Sequence, residues 1–275
     1  MVFPVQTWRL LITPPSPGAW NMALDEAILE AVGGGKAMAS LRLYAWEPPC
    51  VSIGYAQPSV DVDQVRLNQL GWDWVRRPTG GRAILHTDEL TYSVIAPINE
   101  PRLAGSVLES YQRIAGALLA ACHSLNVPAV THPISLAGSS PQNGPVCFEV
   151  PSNYEIVVDG KKLIGSAQAR RKDGVLQHGT LPLSGDLTRI TQGLRFSDEE
   201  KRKEAAVRLL AHATTVETVL GYKVDWQGAA QAFIQGFQSE LNLQFVEDEP
   251  SSGELERAGQ LVREKYAHPA WLGRI

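Results

Sequence analysis

Two strand-like runs, residues 154–158 and 161–168, flank Asp159-Gly160. A two-residue connection whose glycine tolerates positive φ is the signature of a tight β-hairpin. No other stretch limits the fold as sharply, because a hairpin fixes an antiparallel pairing and the faces its side chains use. Alternation along a strand sends Lys161 and Lys162 to opposite faces, so at most one of them looks into any single site.

Residues 8–12, 41–46, 51–53, 72–76, 90–96 and 175–183 read as further strands. After Pro17-Gly18, the residues Trp20, Ala23, Leu24, Ala27, Ile28 and Ala31 recur at spacings of three and four. That is an amphipathic helix, and Gly33-Gly34-Gly35 stops it. Helices are also expected over 61–70, 104–125, 197–210, 225–241 and 253–266. Short strands with interspersed helices and a helical tail predict an α+β fold, a mixed β-sheet covered by helices, rather than a doubly wound parallel sheet. The chain reads as one domain over 1–275, with a core over about residues 38–245 and a helical tail, 246–275, packed on it.

At 275 residues, 44% hydrophobic and 20% charged, the composition is that of a globular protein with a sizeable core. A net charge of −4 gives no overall footprint for nucleic acid. The two short basic clusters, Arg76-Arg77-Arg82 and Arg170-Arg171-Lys172, are expected on the solvated surface or against an acidic partner protein. Three irregularly spaced cysteines argue for a reducing compartment and against a disulfide framework. Residues 1–10 carry no basic leader ahead of an apolar block, and no apolar run approaches a membrane span. A cytoplasmic protein without a membrane partner is expected, as a monomer.

The three cysteines differ in setting. Cys122 lies in an apolar run, 114–122, and reads as core; Cys50 follows Pro48-Pro49 and opens a short strand. Cys147 instead follows a segment, 131–144, rich in Ser, Gly, Pro and Asn, and is flanked by Pro145 and Pro151. A thiolate is the nucleophile in cysteine chemistry, and a nearby ammonium favours it. Lys162, on the hairpin, is the candidate ammonium, so Cys147 is the candidate nucleophile. No two cysteines have metal-ligand spacing, and no metal or cofactor is expected.

The stretch 76–86 places Gly80-Gly81 between two strands, where bare backbone approaches a ligand closely. Gly33-Gly34-Gly35-Lys36 is not a nucleotide loop, since Ala37 stands where Ser or Thr is required. His86 and His178 are each single histidines near strand ends, read as satisfied structural residues.

Taken together, residues 76–83 with His86, residues 162–168 and the run Gln177-His178-Gly179-Thr180-Leu181 resemble the biotin/lipoate protein ligase catalytic family. The resemblance extends to the first helix, Asn21 to Ala27, and to Lys265, Tyr266 and Trp271 in the tail. Within the family, Cys147-Phe148, Pro151-Ser152 and Tyr154-Glu155 resemble the octanoyltransferases of LipM type. That resemblance implies octanoyl transfer from octanoyl-acyl carrier protein, through a thioester on Cys147, to a lysine of the glycine cleavage H protein or another lipoyl domain. It implies acyl- or substrate-binding roles for Arg77, Thr79, Gly80, Gly81, Arg82, His86, Gly165, Ser166, Ala167, His178, Gly179 and Thr180. Backbone N–H groups near Gly165 to Ala167 or at Gly179 are then candidate oxyanion donors. The rival readings are an ATP-dependent lipoate-protein ligase, an octanoyl amidotransferase acting from H protein, and a noncatalytic adaptor.

Overall fold

The alternating segments pair as strands in the computed structural model, which describes residues 3–132 and 155–275. The strands are β1 (Gln6–Ile12), β2 (Ser40–Tyr44), β3 (Cys50–Ile53), β4 (Asp73–Arg76), β5 (Ile84–His86) and β6 (Glu89–Pro97). They continue as β7 (Val130–His132), β8 (Glu155–Val158), β9 (Lys161–Arg170), β10 (Gly174–Pro182) and β11 (Leu243–Asp248). The helices are α1 (Gly18–Gly33), α2 (Gln64–Leu70), α3 (Val107–Ser124), α4 (Glu199–His212), α5 (Val216–Leu220), α6 (Trp226–Leu241), α7 (Ser252–Leu261) and α8 (Pro269–Leu272).

A large sheet has the order β11-β1-β2-β6-β10-β9-β8-β7, and a small sheet has the order β4-β3-β5. In the large sheet β11, β1 and β2 run parallel and every later neighbour is antiparallel, which makes the fold α+β with a mixed sheet. The hairpin is present: Asp159 and Gly160 both take positive φ, 50° and 75°. Two left-handed residues match the right-handed twist of the strands they join.

Helices cover both faces of the large sheet. On one face α3 and α6 bury Ala117, Ala121, Cys122, Phe233 and Phe237 against Tyr92, Val94 and Ile164. On the other, α1 buries Met22, Ala23, Ala27 and Ile28 against Tyr44, Ile95 and Leu176, while α7 adds Ala258 and Leu261. Helix α1 is thus covered on both sides, and its buried residues include Asn21 and Asp25 beside the expected apolar stripe. A third apolar cluster lies beneath the small sheet, from Val51, Ile53 and Ile84 to Leu209 of α4. Among the described residues no helix is long and apolar enough to cross a membrane.

Five elements depart from the sequence reading: β5, β7, β11, α5 and α8 were not expected. β11 is a sheet edge whose Gln244 and residues 247–248 are exposed, so its polar side chains hide the strand from a hydrophobicity pattern. The C-terminal helix expected over 253–266 is α7 followed by a π-helical turn, Val262–Tyr266.

Candidate active site

A pocket of about 440 Å³, measured with its open mouth, lies where the two sheets meet. The large sheet supplies its floor through Thr91, the β9 segment Gly165 to Ala167 and the β10 segment His178 to Thr180. Met22 of α1, Tyr44 and Trp46 close one side; Ser52, Ile84 and His86 of the small sheet close the other. Arg77, Gly80 and Gly81 stand at the mouth, where both glycines are exposed. Ten of the residues selected from sequence therefore line one cavity. Thr79 and Arg82 stand beside it, and Cys147 lies outside the described residues.

Beneath the floor is a buried polar cluster centred on Asp25. Its carboxylate accepts from Arg42 Nη1 at 2.7 Å, Ser93 Oγ at 2.9 Å and Tyr44 Oη at 3.0 Å. Burial pushes the Asp25 carboxyl up, but the Arg42 guanidinium and the His178 ring outweigh it and hold the group below its ordinary value. His178 sits in the middle of β10, opposite Ser93 and Ala167, not near a strand end. Burial holds its ring below the ordinary histidine value against the pull of Asp25, so the imidazole is neutral at pH 7. Its Nδ1 is 3.7 Å from Asp25 Oδ2 and its Nε2 is 2.7 Å from Thr79 Oγ1. A carboxylate only accepts, which assigns the proton to Nδ1 and leaves Nε2 to accept from the Thr79 hydroxyl.

The mouth is built differently. Arg77, expected at the surface, is buried, and its guanidinium gathers backbone carbonyls: Ser52 at 2.9 Å, Gly80 at 2.9 Å and Arg82 at 2.7 Å. Arg82 thus enters the site through its carbonyl, while its own side chain is half-buried. Arg76 is also fully buried, donating to the carbonyls of Gly54, Gln57, Trp271 and Leu272. Sequence gave these arginines no interior role; a guanidinium offers five donors in a rigid fork, which suits it to wrapping a loop of carbonyls. Gly81 takes a φ of 97°, and a Cβ on the facing Gly54 would lie 2.0 Å from the Gly81 carbonyl oxygen. Only two bare backbones pack this closely.

His86 is stacked on Trp46, with ring centroids 3.9 Å apart. Its Nδ1 lies 2.6 Å from Glu89 Oε1 and its Nε2 lies 2.7 Å from Ser52 Oγ, which in turn accepts from Arg77 at 3.0 Å. Glu89 also accepts from Thr91, and Thr91 from Trp46 Nε1. Asp25, Arg42, Ser52, Glu89 and Thr91 were not selected from sequence. The available signal was a set of polar residues inside segments that otherwise read as buried.

Lys162 is reached through an irregularity in the hairpin. Ile156 pairs with Ile164 but Val157 pairs with Lys162, so Leu163 is an extra residue on β9. Leu163 and Ile164 both pack into the core under α3 and α6. This bulge resets the alternation and puts Lys162 on the face of Gly165 and Ala167, the pocket face. Lys162 is buried and its Nζ donates to Glu155 Oε1 at 2.6 Å. Ser166 borders the pocket, but its hydroxyl turns to the opposite face and bonds Tyr92 Oη at 2.8 Å, passing over Gly179. A Cβ on Gly179 would lie 2.6 Å from Ser166 Oγ and 2.7 Å from the Tyr92 ring, which explains the glycine.

Because β10 is flanked by β6 and β9, its backbone groups, Gly179 N–H included, belong to the ladder. Beyond Ile164, β9 has β10 alone as a partner among the described residues, so alternate N–H groups of residues 165–170 point away from the ladder. Arg170 of the second basic cluster is tied to the carbonyls of Leu103 and Gly105 at 2.9 Å each, which leaves Arg171 and Lys172 exposed. Burial raises the Cys50 thiol well above its ordinary value and the Cys122 thiol to about 12, so neither is a nucleophile at neutral pH.

Comparison with known proteins matches residues 17–238 to the lipoyl protein ligase A/B catalytic domain. Octanoyltransferase LipM of Symbiobacterium thermophilum is 41% identical over 273 residues, covering 96% of this chain and 97% of that protein. Octanoyltransferase LipM of Carboxydothermus hydrogenoformans is 37% identical over 272 residues, covering 98% and 100%. Among solved structures, a bipartite lipoate protein ligase from Thermoplasma acidophilum superposes with a TM-score of 0.81 at 26% identity, covering 98% of each chain. A lipoate-protein ligase A bound with ATP superposes with a TM-score of 0.78 at 25% identity, covering 98% of this chain and 100% of that one.

Proposed function

The chain belongs to the lipoyl protein ligase A/B catalytic domain family, and from that membership we propose that it is an octanoyltransferase of lipoate biosynthesis. It takes octanoyl from octanoyl-acyl carrier protein onto Cys147 and passes it to a lysine of the glycine cleavage H protein or another lipoyl domain. The observation that carries this reading is the pocket between the two sheets. Its walls of Met22, Tyr44, Trp46 and Ile84 suit an alkyl chain, which gains about 0.8 kcal/mol per buried methylene.

The chemistry follows from thioester exchange. The Cys147 thiolate attacks the octanoyl carbonyl, a new C–S bond forms, and the donor's C–S bond breaks to release its thiolate. The acceptor lysine then attacks as a neutral amine, its C–N bond replaces the enzyme C–S bond, and the proton it sheds balances the departing thiolate. Amides are more stable than thioesters, so no ATP is consumed. Lys162, aimed to the pocket face by the bulge, is the cation that favours thiolate, with Glu155 holding it in place.

Intact mass of the purified protein after incubation with octanoyl-acyl carrier protein, without ATP, tests this reading. An octanoyl adduct on wild type and none on Cys147→Ala is expected. No adduct without ATP would overturn it in favour of the ligase chemistry carried by similar structures. An adduct formed from octanoyl-H protein but not from the acyl carrier protein would instead identify an amidotransferase.

A further inference from the structure

Thr180 combines three properties that are rarely found together. It lines the pocket, it is 1% exposed, and its Oγ1 has no hydrogen-bond partner among the described residues. A buried hydroxyl without a partner costs about 1–3 kcal/mol, and native proteins satisfy nearly all such groups. Every other polar group on this floor is satisfied: His178 by Thr79, Thr91 by Glu89 and Trp46, and Tyr44 by Asp25. The open hydroxyl therefore points to a ligand atom.

An octanoyl thioester offers one polar atom of that kind, its carbonyl oxygen. Register fixes where that oxygen belongs. Thr180 pairs with Thr91 on one side and Gly165 on the other, and Gly165 shares its face with Lys162 through the bulge. An acyl chain bound this way would have its carbonyl end over β10 and β9, on the sheet face that Lys162 shares, and its alkyl tail across the sheet toward Tyr44 and Trp46.

We propose, resting on the octanoyl-transfer reading, that Thr180 is a catalytic oxyanion donor: its hydroxyl hydrogen-bonds the acyl carbonyl oxygen as that oxygen gains charge. When the thiolate attacks, the carbonyl π pair moves onto oxygen, and it returns when the donor thiolate is expelled. The Thr180 proton stays on Oγ1 throughout. This places a side chain, rather than the Gly179 N–H, at the β10 side of the oxyanion, with outward N–H groups of β9 as its partners.

Thr180→Val tests the assignment, because valine keeps the branched shape and puts a methyl group, which cannot donate, in place of the hydroxyl. With octanoyl-acyl carrier protein as donor and H protein as acceptor, kcat should fall about 100-fold with KM little changed, the cost of one oxyanion donor. The melting temperature should hold or rise, since the variant deletes an unsatisfied buried hydroxyl. Thr180→Ser should restore most of kcat. Wild-type turnover with Thr180→Val unimpaired would overturn this assignment alone, as would a Thr180→Val that loses rate only by unfolding. A wild type inert toward the octanoyl thioester would overturn the transfer reading and this assignment with it.

Discussion

The floor and the mouth of the pocket each depend on a buried arginine, and each arginine is satisfied in a different way. Arg42, below the floor, meets a carboxylate, Asp25, with Asn21 and Thr13 filling its other donors. Arg77, at the mouth, meets the main-chain carbonyls of Ser52, Gly80 and Arg82. A charge pair buried between a helix and a sheet holds secondary elements together, whereas a guanidinium wrapped in carbonyls holds the shape of one loop. Disturbing the Asp25–Arg42 pair beneath the floor should therefore be read in stability, and disturbing the Arg77 loop at the mouth in catalysis.

The largest effect tests the floor. Asp25→Ala strands the Arg42 charge in the interior and should cost about 3–5 kcal/mol in urea unfolding, the usual penalty for breaking a buried pair. Gly54→Ala should come next, at about 1–3 kcal/mol, because its Cβ meets the Gly81 carbonyl and displaces the mouth. Its transfer rate should fall far more steeply than its stability. Arg77→Lys should be smaller still in stability and should raise the donor KM roughly tenfold, about 1.4 kcal/mol, since one ammonium cannot span three carbonyls. If Arg77→Lys unfolds the protein as readily as Asp25→Ala, the contrast between floor and mouth is wrong.

The smallest effect is a pH dependence. The folded His178 value lies below the ordinary one, so below about pH 6.5 the unfolded chain takes up a proton that the folded chain refuses. Stability should decline as pH falls from there, by at most about 1.4 kcal/mol per pH unit for this one group. Asp25, also lowered, adds to the loss only below about pH 3.9. Thermal melts of wild type and His178→Gln should separate these windows: the variant keeps the acid loss and has a flatter slope near pH 6.

Much of the pocket was legible in the sequence because it depends on backbone. Gly81 takes a positive φ, and Gly179 stands where a Cβ would meet Ser166 and the Tyr92 ring; such positions leave a visible mark in a chain. Asp25 and Arg42 left none, since each lies in a segment whose pattern reads as ordinary core, and their pairing spans α1 and β2. The bulge at Leu163 was equally hidden. Leu163 and Ile164 are both apolar, and strict alternation places Lys162 on the wrong face; only the register with β8 corrects it. β11 escaped because an edge strand need not be apolar.

Arg76 reaches the carbonyls of Trp271 and Leu272, 195 and 196 residues further along the chain. At translation speeds of about 5–20 residues per second, those partners emerge from the ribosome roughly 10–40 s after the arginine does. Over that interval the base of the glycine loop has only its local carbonyls to hold it. A nascent chain can therefore assemble its sheets before its pocket mouth is fastened, and acyl donors should find no finished entrance until α8 has been made.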